Sequence, residues 1–133
     1  MAVDKKLENR NGELRAVRAI RTVIDTTSLT DGVENLVATL PQGAVVTAIH
    51  LNVMVAFDGT DAKLDAGIVG ATNKFYDDLD ITTSGDKASA TGKFYQASKV
   101  DVVVVPDFQS STVGSAVMIV EFVETNKVTG ELA

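Results

Sequence analysis

The sequence predicts an all-β protein: a β-sandwich of about eight strands, jelly-roll-like, preceded by an extended N-terminal arm. Three observations support this. Runs of β-branched and apolar residues recur about every 8–12 residues, turn-forming residues separate them, and no segment shows an uncontested helical pattern. With 133 residues, 45% of them hydrophobic, we expect one domain whose core needs no metal or disulfide. We place the arm at residues 1–13, the sandwich at 14–124 and a C-terminal tail at 125–133.

The first segment of the sandwich, residues 14–25, carries two conflicting patterns. Apolar residues and arginines alternate in triplets, which is closer to a helical period: they are Leu14, Val17 and Ile20, and Arg15, Arg18 and Arg21. However, Thr22, Val23 and Ile24 are β-branched, and β-branched residues are stiff in a helix and favoured in strands. We expect a strand.

The clearest strand runs from Ala44 to Phe57. Its period-two apolar residues are Val45, Ile49, Leu51, Val53, Val55 and Phe57, with Thr47 as the one polar member. The other face is unusually apolar for a solvent-facing side, with Val46, Ala48, His50, Asn52, Met54 and Ala56. We therefore expect both faces of this strand to be covered.

The remaining strands are bounded by turn-forming residues. They are predicted at Val33–Leu40, Ala62–Val69, Lys74–Ile81, Ser89–Ala97, Lys99–Val105 and Ser115–Glu124. Asp58 and Gly59 provide hairpin chemistry after the long strand. Pro106 is expected to end the strand before it, because proline cannot donate to a sheet ladder.

Two of these strands are apolar at both parities, namely 101–105 and 116–123. A surface strand of a two-layer sandwich should instead be polar on one face. Either loops or the N-terminal segment cover the outer face, or another subunit does. We favour a subunit interface, because large exposed apolar patches usually mark association. Its predicted residues are His50, Met54, Val103, Val117 and Ile119.

Charge is unevenly distributed along the chain. Residues 1–25 hold six basic and four acidic residues, a net +2, while the rest hold six and fourteen, a net -8. A basic segment on an acidic body is typical either of a docking arm or of a solvated leader. The candidate docking residues are Lys5, Lys6, Arg10, Arg15, Arg18 and Arg21. Their positive charges could pair with partner carboxylates, and the planar guanidinium groups of the arginines could do so through two hydrogen bonds.

Composition argues against an enzyme and against nucleic-acid binding. The chain has no cysteine, no tryptophan, 5% aromatic residues and one histidine, His50, which has no second imidazole to form a catalytic or metal pair. Asp77, Asp78 and Asp80, with Asp58 and Asp61, could offer calcium ligands, but their spacing matches no EF-hand loop. We therefore predict solvated acidic loops and no catalytic, cofactor-binding or metal-binding residue.

No apolar run approaches the length needed to cross a bilayer, and the first residues alternate in charge. We therefore expect no membrane partner, and a soluble protein that is either cytoplasmic or part of a cytoplasmic assembly.

Four runs of residues, covering parts of the segment 14–124, resemble small structural proteins of tailed bacteriophage particles. They are Leu40-Pro41-Gln42-Gly43-Ala44-Val45-Val46-Thr47-Ala48-Ile49, Val55-Ala56-Phe57-Asp58-Gly59-Thr60, Leu64-Asp65-Ala66-Gly67 and Phe75-Tyr76-Asp77-Asp78-Leu79-Asp80. In that family a strand opening with Pro-x-Gly-Ala-x-Val leads to an Ala-Phe-Asp/Asn-Gly hairpin. These motifs are turn and strand patterns, and none is catalytic.

The resemblance implies a jelly-roll or related sandwich that decorates a capsid as a cement protein. The expected partner is the major capsid protein, and the expected location is the outer capsid surface of a virion assembled in the host cytoplasm. We expect an oligomer, with a trimer favoured because a three-fold position would display three arms. The alternatives are a tail, neck or fibre component, or a carbohydrate-binding module that uses the acidic loop Asp77–Asp80, with or without calcium. Sugar-binding sites usually offer an aromatic platform, and the aromatic residues near candidate loops are Phe75, Tyr76, Phe94 and Tyr95.

Overall fold

The computed structural model describes residues 17–87 and 98–124, and within these ranges every regular element is a strand. There are eight, as expected: β1 (Arg18–Asp25), β2 (Asn35–Leu40), β3 (Ala44–Val55), β4 (Lys63–Ile68), β5 (Ala71–Asp80), β6 (Gly85–Asp86), β7 (Val100–Asp107) and β8 (Ser115–Glu124). The all-β prediction is confirmed. The predicted strand Ser89–Ala97 lies outside the described residues, and β6 occupies a segment predicted as a turn.

The strands form two four-stranded sheets, ordered β1-β8-β3-β6 and β2-β7-β4-β5. In each sheet all neighbours are antiparallel. The first strand pairs with the last, the second with the seventh, the third with the sixth and the fourth with the fifth. The chain is therefore a long two-stranded ribbon rolled into two layers, which is the jelly-roll arrangement that the sequence predicts.

The described part of the first segment is a strand, as the β-branched residues indicated. β1 pairs with β8 without interruption from Arg18 opposite Phe122 to Asp25 opposite Ser115. Successive strand residues point to opposite faces, so Arg18 lies on the inner-facing side with Ile24, while Arg21 lies on the outer side with Val23. The arginine triplets therefore do not form a single basic stripe.

β3 departs from the predicted alternation because it contains β-bulges. Its pairing with β8 shifts between Val46 and Ala48, and again between Val53 and Val55. A bulge adds one residue to one strand and so exchanges the buried and exposed parities. The buried residues are Ala44 and Val46 before the first bulge, then Ile49, Leu51 and Val53 after it. The prediction that Val45 and Val55 share the buried face was wrong; Val55 is 50% exposed.

β7 continues through Pro106 to Asp107, so the prediction that Pro106 ends this strand was also wrong. The Pro106 carbonyl accepts a 2.8 Å hydrogen bond from the Gly32 N–H. In a strand the nitrogen and carbonyl of one residue point to the same side. The missing N–H therefore faces the Gly32 turn, beyond the first pairing of β2 at Val104. The ladder that joins Pro106 to Leu64 needs no donor from the proline.

The core lies between the two sheets. Among the described residues every buried side chain outside the glycines and Pro106 is a hydrophobic one, and the largest that are fully buried are Phe57, Ile24, Leu40, Ile49, Leu51, Leu64, Ile81 and Met118. A hydrogen bond of 3.3 Å from the Tyr76 hydroxyl to the Ile49 carbonyl crosses between the sheets. Burial of apolar surface from both layers is the main term that holds them together.

The loop between β3 and β4 is joined to the loop between β7 and β8 at one end of the sandwich. The rings of Phe57 and Phe108 stack with centroids 5.4 Å apart and planes 7° apart. The Gly59 N–H donates to Ser111 Oγ at 2.8 Å. Asp31, in the loop after β1, accepts a 2.8 Å bond from the Phe108 N–H. This end of the molecule is thus a cross-linked set of loops.

Asp58 is the polar centre of that set. Its Oδ1 accepts from the N–H groups of Thr112 and Val113 at 2.7 and 3.2 Å, and its Oδ2 from Thr112 Oγ1 at 2.9 Å. The Thr112 backbone bond, followed by that of Val113, lowers the pKa of Asp58 below its ordinary 3.8. Hydrogen bonds from the Ser28 and Thr82 hydroxyls likewise lower the pKa values of Asp25 and Asp80, which brace turns of their own.

These three lowered pKa values predict a loss of stability in acid. A carboxylate whose folded-state pKa lies below its unfolded value contributes stability above the unfolded value, here 3.8. That contribution disappears as the pH falls through the folded pKa. We expect the melting temperature to fall below about pH 4. Melting curves recorded from neutral pH to about pH 2 measure this.

Asp58→Asn is the matched variant for this experiment. The amide oxygen still accepts from the Thr112 and Val113 N–H groups but does not titrate. The variant should lose less melting temperature between neutral pH and acid than the wild type. A wild-type melting temperature that stays level from pH 4 downwards would contradict the assignment.

Candidate functional site

The outer surface of the first sheet holds three of the five predicted interface residues, His50, Val117 and Ile119. Pairing register places its side chains in rows across β1, β8 and β3. The rows are Val23, Val117 and Asn52; Arg21, Ile119 and His50; and Ala19, Glu121 and Ala48. We call these nine residues the outer face of the first sheet.

The centre of the outer face is apolar. Val117 and Ile119 are partly exposed, whereas Ala116, Met118 and Val120 on the opposite side of β8 are buried in the core. Val23 beside them is 38% exposed. The apolar residues of β8 at both parities therefore have two roles: one set fills the sandwich and the other set forms surface. A surface of this kind favours contact with another protein.

Polar groups border the apolar centre. His50 Nε2 lies 3.1 Å from Glu121 Oε2, and Asn52 Nδ2 donates to the Asp86 carboxylate. Lys87 Nζ donates to Thr83 Oγ1 at 3.0 Å. An open recess of about 290 Å³ lies among β3, β6 and β8. It is lined by His50, Leu51, Asn52, Asp86, Lys87, Val117 and Ile119. An apolar centre with a hydrogen-bonding border resembles the anatomy of a protein interface.

The structure brings together four of the five predicted interface residues. His50, Val117 and Ile119 share the outer face, and Met54, half exposed, lies farther along β3. Val103 lies elsewhere, in β7 of the other sheet, where it is 3% exposed. Its register neighbours are Leu36 and Gly67. Sequence alternation could not separate Val103 from the others, because it does not say which strands are adjacent.

The predicted docking residues are divided by the structure. Arg18 Nε lies 3.2 Å from Glu124 Oε2, so Arg18 forms an ion pair within the first sheet. Arg21 projects from the outer face, and in the described part of the chain it makes no ion pair. Lys5, Lys6, Arg10 and Arg15 lie outside the described residues. Their docking role stays a prediction.

The predicted acidic loop is also divided. Asp58 and Asp80 accept hydrogen bonds from turn residues. Those of Asp58 are described above, and Asp80 Oδ1 accepts from the Thr82 N–H and hydroxyl at 2.8 and 2.6 Å. Carboxylate oxygens of Asp77, Asp78 and Asp65 lie within 4.8 Å of one another. The Asp78 N–H also donates to Asp65 Oδ1 at 2.6 Å. Sequence reasoning missed Asp65, since only the pairing of β4 with β5 places it beside the pair.

The described aromatic side chains near these acidic residues are buried. Phe75 and Tyr76 are 8% and 7% exposed, so neither offers the flat surface on which a sugar ring would stack. Phe94 and Tyr95 lie outside the described residues.

Across the described ranges, no helix has the length and apolar character required to traverse a membrane.

Sequence comparison identifies no relative: no protein-family model matches the chain, and no curated protein matches it. Structural comparison finds chains of the same fold. A chain of the structure described as the cyanophage Pam1 capsid asymmetric unit has a TM-score of 0.66 and 20% identity, over 84% of this chain and 86% of that one. A chain of the acid-stable capsid of Helicobacter pylori bacteriophage KHP30 has 0.65 and 17%, over 82% and 89%.

A third match, a chain of the capsid of Ralstonia phage GP4, has a TM-score of 0.61 and 21% identity, over 83% of this chain and 85% of that one. The coverage is similar in both directions for all three, so each matched chain is close to this one in length. This protein therefore shares its jelly-roll fold with similarly sized chains of three phage capsid structures.

Proposed function

We propose that the chain is a non-enzymatic structural protein of a phage particle, which binds the outside of the assembled capsid as an oligomer and stabilises it. One observation carries the proposal: three structures with the same fold, matched over most of both chains, are all phage capsids. The close agreement in length favours a small accessory chain that adds to a shell.

The outer face of the first sheet supports association. Its apolar centre is partly exposed in the single chain, and burying it against another protein would remove that surface from water. A protein that binds only the assembled shell stabilises the shell by mass action, and several copies linked together bind more tightly than one. The trimer expected from the sequence is one such closed assembly.

The basic residues before β1 are the proposed contact with the major capsid protein. Arg18 already pairs with Glu124, and Arg21 projects from the outer face of the first sheet. The proposed docking residues are therefore Lys5, Lys6, Arg10 and Arg15. Basic side chains on an otherwise acidic protein would favour carboxylate groups on the shell surface. The strongly acidic remainder of the chain would then face solvent.

The proposal predicts that added protein raises the temperature at which shells lacking it come apart. At a free concentration about 100 times the dissociation constant, each bound site gains about 2.7 kcal/mol. Light scattering of the shells during heating measures the shift, and cosedimentation measures binding.

Two double variants make a matched comparison. Lys5→Ala with Lys6→Ala should weaken cosedimentation, whereas Lys63→Ala with Lys99→Ala, which removes the same charge from the body, should not. Protein that leaves the shells unchanged, or that labels tails rather than capsids in electron micrographs, would overturn the proposal. A glycan array that gave a signal sensitive to chelator would point to the carbohydrate-binding alternative.

A further inference from the structure

Four strands stand at the ends of the two sheets: β1, β6, β2 and β5. Three of them are poor templates for another strand. β6 has two residues, and the pairing of β2 shifts between Leu36 and Ala38. The pairing of β4 with β5 shifts twice, and Asp78 in β5 has a φ of 52°. Short and bulged edges are the usual protection against pairing between chains.

β1 lacks these protections. It contributes eight residues in unbroken register with β8, and it contains no proline. Its other edge has no strand partner in the described ranges. A regular edge of this length presents N–H and C=O groups in the spacing that a further strand requires.

We propose that β1 pairs antiparallel with β1 of a second copy of this chain, across a two-fold axis at Val23. The inference takes from the proposed function only the premise that copies of the chain associate. In such pairing, directly opposed residues lie on the same face of the joined sheet, which limits the possible registers.

Charge selects among those registers. An axis at Arg21 would oppose two arginines, and an axis at Thr22 would oppose Arg21 to Val23. An axis at Val23 opposes Arg21 of each copy to Asp25 of the other, and Val23 to Val23. This last register gives two attractive ion pairs beside one apolar pair, all on the outer face.

Both members of the ion pair are available for it. Arg21 is exposed and has no ion-pair partner among the described residues. Asp25 uses Oδ1 to accept from the N–H and hydroxyl groups of Thr27 and Ser28 at 2.6–3.1 Å. Those bonds hold the carboxylate in place beside the end of β1 and leave Oδ2 to a second copy.

The pairing would make one eight-stranded sheet from two copies. The two outer faces would then lie side by side and form one continuous surface, with the Val23 pair and the two Arg21–Asp25 ion pairs at its centre. Such a surface would present a single wide contact to a shell.

Substitutions at Val23 test the inference, because this side chain lies on the outer face, outside the core, and is 38% exposed. Val23→Lys and Val23→Glu each place like charges against each other at the axis. Each should raise the dimer dissociation constant about tenfold or more. An equimolar mixture of the two variants should restore the dimer, since the axis then opposes Lys to Glu. Analytical ultracentrifugation over a concentration series measures all three samples.

Val69→Lys is the matched control, because Val69 is 55% exposed and lies between β4 and β5 of the other sheet. It should leave the dimer unchanged. If a Val23 variant fails to fold by circular dichroism, Arg21→Gln replaces it and should weaken the dimer several-fold. A wild-type protein that sediments as a monomer or a trimer, or a mixture that stays dissociated, would overturn the inference. Cosedimentation of the Val23→Lys monomer with shells separates the two proposals, because it measures capsid binding without this pairing.

Discussion

Replacing Phe57 with alanine should destabilise the protein by about 3–5 kcal/mol, the range for removing a large buried aromatic side chain. Phe57 is 2% exposed and stacks on Phe108. Its loss would leave a cavity bounded by a loop that hydrogen bonds hold in place, so the surroundings could collapse only partly. Phe108 and the rest of the loop between β7 and β8 would then detach from the sandwich more easily than the two sheets would separate from each other.

Urea unfolding, followed by circular dichroism, measures this change. Phe57→Leu is the matched variant, since it keeps most of the apolar volume and removes the ring stack, which is worth about 0.5–1.5 kcal/mol beyond burial. We expect Phe57→Leu to keep most of the stability that Phe57→Ala loses. An alanine variant within about 1 kcal/mol of the wild type would show that the loop repacks and that the stack matters little.

Gly59→Ala should cost about 3 kcal/mol or more, although it adds a single methyl group. A Cβ at this position would lie 2.2 Å from the Phe108 carbonyl oxygen and 2.4 Å from that of Gln109. Both are backbone atoms, so no side-chain rotation relieves the clash. The two loops would have to part, which would also break the bond from the Gly59 N–H to Ser111.

Gly70→Ala provides the contrast. Gly70 has a φ of 91°, but a Cβ there would meet nothing within 4 Å. Only the backbone preference opposes the substitution, and this should cost about 1 kcal/mol. Thermal melts of both variants therefore separate lack of space from lack of conformational freedom. Equal losses at the two positions would mean that the loops do not approach each other as closely as the structure shows.

Local chemistry explains why most of the fold could be predicted. β-branched residues after Arg21 indicated a strand against the helical triplets, and turn residues marked the strand ends. The bulge after Val46 was not predictable, because apolar residues occupy both parities there and either register satisfies the pattern. The prediction that Pro106 ends its strand was wrong because a strand tolerates proline where no neighbour needs its N–H. That depends on where β2 begins, which is a matter of tertiary structure.

The candidate site was predictable in part for a related reason. Apolar residues at both parities of β8 correctly indicated a surface beyond the core. The neighbours across that surface, Arg21 on one side and His50 on the other, follow only from strand order. The same limit explains why Val103 was grouped with the wrong sheet and why Asp65 was overlooked.

The pairing of the first strand with the last also governs when the protein can fold during synthesis. β8 lies between β1 and β3. Until residues 115–124 have left the ribosome, β1 therefore has no neighbour in its sheet among the described strands, and β3 has only the two-residue β6. Contacts so distant in sequence form slowly. A nascent or prematurely terminated chain would keep β1 and β3 apart and its apolar strands open to chaperones and proteases. Only chains translated through Glu124 could therefore complete the first sheet, which would keep truncated copies out of any assembly.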